Sequence, residues 1–235
     1  MLAADGATPT MTSLSLKIFY PDAISTGEIH DYNEAFAFWY EIWLETRREV
    51  DATLAAPSDS FSRQSEILVL YSDGKPIATC CHRYVDLRHH CVLYDSYFTS
   101  AIWPASVKSL IPGLGHTCVL GSHIFIHPAF RKCRGGLPIK NIVCALSMTH
   151  VNATRPDVLL GAARIDKGIH KVFHDAGAVS LRADASWYHI PVDLIALFPN
   201  KSPMQIDAQY DDIVRSIGKT CHRFAVNYLQ RTTAT

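Results

Sequence analysis

Apolar positions along the chain switch between a period of two and a period near 3.6, and those switches predict its elements. In residues 14–20, Leu14, Leu16, Ile18 and Tyr20 alternate with Ser15, Lys17 and Phe19, which predicts a first strand. After Pro21, Asp31 is placed to cap a helix running to about residue 54, with Phe36, Trp39, Trp43 and Val50 at helical spacing. Phe38 and Ile42 broaden that face, while Glu41, Glu45, Arg47, Arg48 and Glu49 form the wet side. Residues 66–71 and 75–85 read as a hairpin about Ser72-Asp73-Gly74, a strong turn signal. Residues 87–103 follow neither period, and 104–111 suit a short helix ended by Pro112-Gly113. A Val-, Ile- and Phe-rich strand covers 118–126 and stops at Pro128. A helix then opens at Leu137, with Pro138 in its first turn and Ile139, Ile142, Val143, Leu146 and Val151 on one face. Residues 158–163 suit a buried strand, and 169–176 a helix closed by Gly177. One or two strands broken at Pro191 cover 179–197, and a last helix covers 208–229.

This order predicts a mixed α/β (α+β) fold: a mostly antiparallel central sheet flanked by helices, with an extra C-terminal helix. Residues 1–13 read as a disordered tail, 14–199 as one domain and 200–235 as a helical extension that packs on the core or pairs two subunits as a homodimer. At 235 residues and 48% hydrophobic content, the chain can bury a sizeable core. Lys+Arg 22 balances Asp+Glu 22, so no global basic field argues for nucleic acid. Seven cysteines fit no disulfide framework, and Cys80 and Cys81 point to opposite faces of one strand, which implies a reducing, cytoplasmic setting. The opening MLAADGATPTMTS lacks the charged and apolar regions of a secretory signal, and Met11 offers a second start. No apolar run approaches the roughly 20 residues that span a bilayer.

The candidate chemistry gathers between Cys118 and Met148. Arg131, Lys132, Arg134 and the pair Gly135-Gly136 form a basic loop feeding a helix N-terminus, whose free N–H groups and dipole suit a phosphate. The plain alternative is a solvated basic turn. Period two places Gly121, His123, Phe125 and His127 on one strand face, and Leu120, Ser122, Ile124 and Ile126 on the other. Two histidines on one face of an apolar strand are uncommon, and imidazole titrates near working pH, so His123 is the candidate general base. The alternative is a buried histidine satisfied by a backbone carbonyl. His127 is a donor-site or structural residue. Cys118 and Cys133 lack a flanking nucleophile motif, although the loop cations would lower the Cys133 thiol pKa. Among 12 histidines, His82, His89 and His90, with Cys91, show no ligand spacing, so no metal is expected.

The run Ile126-His127-Pro128-Ala129-Phe130-Arg131-Lys132-Cys133-Arg134-Gly135-Gly136 resembles motif A of the GNAT acyltransferases. Arg131 and Gly136 stand at its outer positions, with Arg134 at the first glycine; a shift to Lys132 and Gly135 restores that glycine and puts Leu137 at the second. The hairpin, with Ala78 at a small-residue position, and the phrase HKVFHDAGA, with Phe173 near the usual tyrosine, resemble further family segments. Phe36 to Tyr40 in the first helix and the insertion between Val85 and Cys118 are similar to the N-acyl amino acid synthase and acyl-homoserine-lactone synthase branch. Where that branch has Ser-Arg this chain has Ser122-His123, and Leu120 or Gly121 stands at its usual glutamate.

The resemblance implies a GNAT-like fold and transfer of an acyl group from an acyl-CoA or acyl-carrier-protein thioester to the amine of a small molecule such as an amino acid. A plain acetyl-CoA-dependent acetyltransferase and a catalytically degenerate thioester-binding domain are the alternatives. The backbone of Phe125, Ile126 and His127 would hold the pantetheine arm and thioester. Arg131, Lys132, Cys133, Arg134, Gly135 and Gly136 would hold its phosphate. Arg83 and Tyr84, after the second hairpin strand, border the acceptor. Trp39 joins them if the aromatic first helix lines an acyl tunnel. An acyl carrier protein is the alternative donor partner.

Overall fold

Asp73 and Gly74 both adopt positive φ, 50° and 77°, so the chain reverses within two residues. That turn joins β2 (Glu66–Ser72) to β3 (Lys75–Asp86) and sets half of the sheet. The computed structural model describes residues 13–51, 53, 57–100, 102–131 and 136–225. β1 (Leu14–Phe19) lies antiparallel to β2, and β3 antiparallel to β4 (Thr117–Ile126). β4 runs parallel to β5 (Val158–Arg164), which is followed in the sheet by β7 (Ile190–Leu197) and then β6 (Val179–Trp187). The seven-stranded order is β1-β2-β3-β4-β5-β7-β6, with β4–β5 the parallel neighbours in a mostly antiparallel sheet.

Helices cover both faces. α1 (Ile29–Val50), α2 (Asp59–Ser62) and the insertion helices α3 (Ser96–Thr99) and α4 (Ala105–Lys108) lie on one side. α5 (Ile139–Thr154), α6 (Ile169–Asp175) and α7 (Asp211–Gly218) lie on the other. α5 buries Ile139, Ile142, Val143, Leu146 and Val151, each contributing on the order of 1.5–3 kcal/mol. Cys80 packs towards α5 and Cys81 towards α1, as alternation along β3 requires.

Several boundaries differ from the sequence expectation. α1 begins at Ile29, because Ser25 and Glu28 form a capping box just ahead of it. Asp31 instead sits in its first turn and receives Lys17 Nζ at 2.5 Å, tying α1 to β1. The helix ends at Val50, short of residue 54. Pro138 is the N-cap of α5, one place outside the helix. Pro191 lies inside β7, near its start, where its carbonyl accepts the Ile165 N–H (3.1 Å); the chain turns instead at Tyr188, φ 55°. α7 stops at Gly218, and Phe224 folds back against it, so that a Cβ on Gly218 would lie 2.6 Å from its ring. Tyr210, Val214 and Ile217 of this segment pack against β1 and α5. Residues 1–12 and 226–235, at the ends of the expected tail and extension, lie outside the described residues.

Candidate active site

The site begins where two parallel strands part. β4 and β5 pair only from Cys118↔Val158 to Gly121↔Gly161. Beyond that point β4 stays with β3 through Ile126, while β5 continues with β7 through Arg164. The closed end is clamped by Asp157, whose Oδ2 accepts the N–H groups of His116 (2.7 Å) and Thr117 (2.9 Å). At the fork, the Tyr97 hydroxyl from the insertion reaches the carbonyls of Gly121 (3.2 Å) and Leu160 (3.4 Å). A cavity of about 550 Å³ opens from the fork between α1, the insertion and the strands, reaching through to Ile139 and Ser147 on α5.

A bulge decides which side chains face that cavity. β3 residues Thr79 and Cys81 oppose Phe125 and Ser122, so β4 carries one extra residue there, and His123 takes φ 51°. The bulge reverses the alternation: Leu120 packs towards the insertion, yet Ile124 and Ile126 pack towards α5. The single-face expectation therefore fails for Gly121, whose absent Cβ would point at Leu159 in the α5-side core. It holds for His123, Phe125 and His127, which all meet α1: His123 against Trp39 and Trp43, Phe125 against Trp43, His127 against Phe38.

His123 lines the cavity, and Ser122 Oγ lies 2.9 Å from its Nδ1. Burial, helped by the positive Arg47, pushes its imidazole down to about 4, so the ring is neutral near pH 7 and available to accept a proton. Of the three backbone groups expected at the donor, the His127 N–H is already given to the Ile77 carbonyl at 2.8 Å. Phe125 faces its partner Thr79 across the same ladder, and strand alternation turns Ile126 into the fork instead. Arg131 lines the cavity, donates Nε to the Ile126 carbonyl (2.9 Å) and approaches Glu45 at 3.4 Å. Lys132, Cys133, Arg134 and Gly135 lie outside the described residues; Gly136 is exposed just ahead of α5.

The expected acceptor residues separate. Arg83 lines the cavity and is paired with Asp95 at 2.7 Å. Trp39 is fully buried behind Trp43, where it supports His123 from below rather than forming the wall. Tyr84 points to the opposite sheet face, where its hydroxyl donates to Glu66 at 3.1 Å. Glu66 belongs to a buried polar cluster: its Oε2 also lies 3.1 Å from His150 Nε2 and 3.5 Å from His82 Nδ1, and His82 Nε2 meets Ser147 Oγ at 2.8 Å. Burial opposes the Glu66 charge, but hydrogen bonds from His150 and His82 hold its carboxyl down at about 2. His82 is thus a core residue, and among the described residues no group of His, Cys, Asp and Glu is arranged to hold a metal ion. Burial pushes the Cys118 thiol well up, which makes it a poor nucleophile.

Sequence reasoning missed Tyr97, Trp43 as a wall, and Arg47. Tyr97 sits in the stretch without a period, so nothing local reported that its hydroxyl closes a fork. Arg47 read as part of a solvated helix face, yet it stacks over Trp43 at 5.1 Å and lines the cavity.

No family model and no curated protein matches this sequence. Solved structures do match. FeeM, an N-acyl amino acid synthase from uncultured soil microbes, aligns over 86% of this chain and 100% of its own, with 12% identity and a TM-score of 0.55. BjaI, a CoA-dependent acyl-homoserine lactone synthase solved with SAM and isopentyl-CoA, aligns over 87% of this chain and 89% of its own, with 12% identity and a TM-score of 0.53. The acyl-homoserine lactone synthase LasI aligns over 83% and 93%, with 12% identity and a TM-score of 0.52. The chain shares the GNAT-like fold of these synthases.

Proposed function

We propose that this protein is an N-acyltransferase that moves an acyl group from an acyl-CoA or acyl-carrier-protein thioester to the amine of a small molecule. The observation that carries the reading is the fork between β4 and β5, opening into a cavity that holds His123 and the strand edge at Ile126. A pantetheine arm entering the fork would add to β4 as a short strand, its amides meeting the backbone that β5 has left. The thioester carbonyl would then lie beside the Ile126 N–H, a fixed dipole suited to the oxyanion of a tetrahedral intermediate. His123 would take the proton from the attacking ammonium; the amine forms the C–N bond, the C–S bond breaks, and the thiolate leaves with CoA or the carrier. Arg131, Lys132 and Arg134, with the α5 N-terminus, would meet the phosphate on pantetheine, which both carriers present. Apolar cavity walls such as Ile102, Trp103 and Val192 favour a donor longer than acetyl. A CoA-dependent protein of the same fold supports CoA as that donor. Free small-molecule substrates and the balanced charge suit a cytoplasmic enzyme.

A second reading, thioester binding without turnover, draws on the low basicity of His123 and the absence of a carboxylate base at Leu120 or Gly121. Native mass spectrometry with CoA and acyl-CoAs of increasing length, beside Arg131→Ala, tests both. Retention of a longer acyl-CoA by the parent and its weakening in the variant supports the donor site. Retention with no product on any amine favours the binding module, and no retention of any CoA species removes the CoA donor.

A further inference from the structure

In a regular strand Ser122 and His123 would project from opposite faces of β4 and could not touch. The bulge sets them side by side, with Ser122 Oγ 2.9 Å from His123 Nδ1. It takes His123 to φ 51°, a backbone conformation that a residue with a side chain keeps only where its surroundings impose it. Here they do. The Thr79 hydroxyl on β3 donates to the His123 carbonyl at 3.2 Å and pins the bulge. Three aromatic rings then hold the imidazole edge-on: Trp39 at 5.5 Å, Trp43 at 5.0 Å and Phe125 at 5.4 Å. Neither indole bonds to it, because both indole N–H groups are without a hydrogen-bond partner. Ser122 is therefore the one hydrogen-bonding partner of the ring among the described residues, and no backbone carbonyl satisfies it. Nε2 has no partner there and opens to the cavity.

We propose that Ser122 is a positioning residue that fixes the tautomer of His123: its oxygen accepts the Nδ1–H, which leaves the Nε2 lone pair facing the cavity as the base. A neutral imidazole carries one N–H, and the partner of one nitrogen decides which nitrogen holds it. Burial keeps His123 neutral near pH 7, so the choice of tautomer decides whether the ring can act. With the proton on Nδ1, a lone pair meets the attacking ammonium. With the proton on Nε2, the ring would present a donor to a donor and could take nothing. The charge around the cavity favours the first form. Its two acids are already bound, Glu49 to Arg164 (3.1 Å) and Asp95 to Arg83 (2.7 Å). Arg47, which also lines it, pairs with no carboxylate among the described residues. Nε2 thus faces positive charge, which favours a lone pair over an N–H directed at it. Once Nε2 has taken a proton, the Nδ1–H···Oγ bond becomes charge-assisted and steadies the imidazolium that burial opposes. The inference deepens the acyltransferase reading and rests on it for the reaction, but the tautomer can be read without any substrate.

The test reads the ring nitrogen shifts of His123 by NMR near pH 7, in the full-length parent with labelled histidine and in Ser122→Ala. The parent should show Nδ1–H and a bare Nε2, and the variant should move towards Nε2–H. With a retained acyl-CoA as donor and a mixture of small primary amines as acceptors, Ser122→Ala should lower kcat about 10–100-fold. KM and acyl-CoA retention should stay as in the parent, because Ser122 acts through His123 and not on the donor. Ser122→Thr keeps the hydroxyl on a residue suited to a strand, so it should restore the tautomer and most of kcat. It also covers the case in which the alanine variant misfolds. A parent ring protonated at Nε2 would overturn the proposal, as would a tautomer that Ser122→Ala leaves unchanged. Equal losses of kcat in the alanine and threonine variants would overturn it too. Acyl transfer that runs at the parent rate in Ser122→Ala sinks the positioning role and leaves the acyltransferase reading intact. A tautomer that follows the hydroxyl, in a protein that acylates none of the amines, upholds the role of Ser122 and removes the reaction.

Discussion

Neutralising His123 by burial has a kinetic signature. A base that titrates at about 4 stays unprotonated to lower pH than an ordinary histidine at 6.5. The acidic limb of kcat/KM should therefore fall near pH 4, and a pH–rate profile of the parent checks it. His123→Gln should keep acyl-CoA binding by native mass spectrometry while lowering kcat about 10²–10⁴-fold; an unchanged kcat would remove His123 from the chemistry. Glu66 makes a contrasting case. It reads in sequence as one polar residue opening a strand, yet it is fully buried and accepts from His150, His82 and Tyr84. Glu66→Gln should cost about 3–5 kcal/mol, since it leaves histidines buried against a lost counter-charge. Denaturant titration at pH 6 would show it.

Among the elements, the parallel pair β4–β5 matters most, and it is controlled from both ends. Asp157 clamps the closed end and Tyr97 caps the fork. Gly115 precedes β4 with φ 146°, and a Cβ there would lie 2.3 Å from that of Asp157. Gly115→Ala is thus both strained and obstructed, and should destabilise by about 1–3 kcal/mol. Thermal unfolding measures this, and a variant as stable as the parent would show that the clamp yields. The bulge at His123 acts on the same strand. Without its extra residue, His123 and Leu120 would lie on opposite faces, and the imidazole would turn away from α1.

At the scale of the whole molecule, the Glu66 cluster joins β2, β3 and α5, so its protonation is coupled to global folding. Glu66 titrates at about 2 in the fold and at 4.5 otherwise, so its contribution is complete above about pH 4.5 and vanishes as the pH falls towards 2. His82 is opposed by burial but raised by Cys80 and Glu66 to about 10, so its contribution is complete below 6.5 and is lost as the pH rises through 10. Stability from this cluster should be greatest between about pH 4.5 and 6.5, and Glu66→Gln should flatten both limbs. Unfolding free energies measured from about pH 2 to pH 10 would test it. The whole fold also explains why one cavity reaches both faces of the sheet: the fork is a gap through it.

Local pattern by itself determined most of the elements, the hairpin at Asp73-Gly74, the central strand, the helix after it and the buried stripe of α5. Those depend on side-chain period and turn chemistry, which act over a few residues. The position of His123 was legible in the same way, as a polar residue in an apolar strand. Tertiary structure alone decided the rest. It set the bulge that turns His123 towards α1, the separation of β4 from β5, the hydrogen bond of Tyr84 to the buried Glu66, and the conversion of Arg47 from a helix-surface charge into a cavity wall. Each depends on contacts between segments tens of residues apart, such as Trp43 with His123 and Tyr97 with Gly121. The period within a segment does not report what another segment will cover.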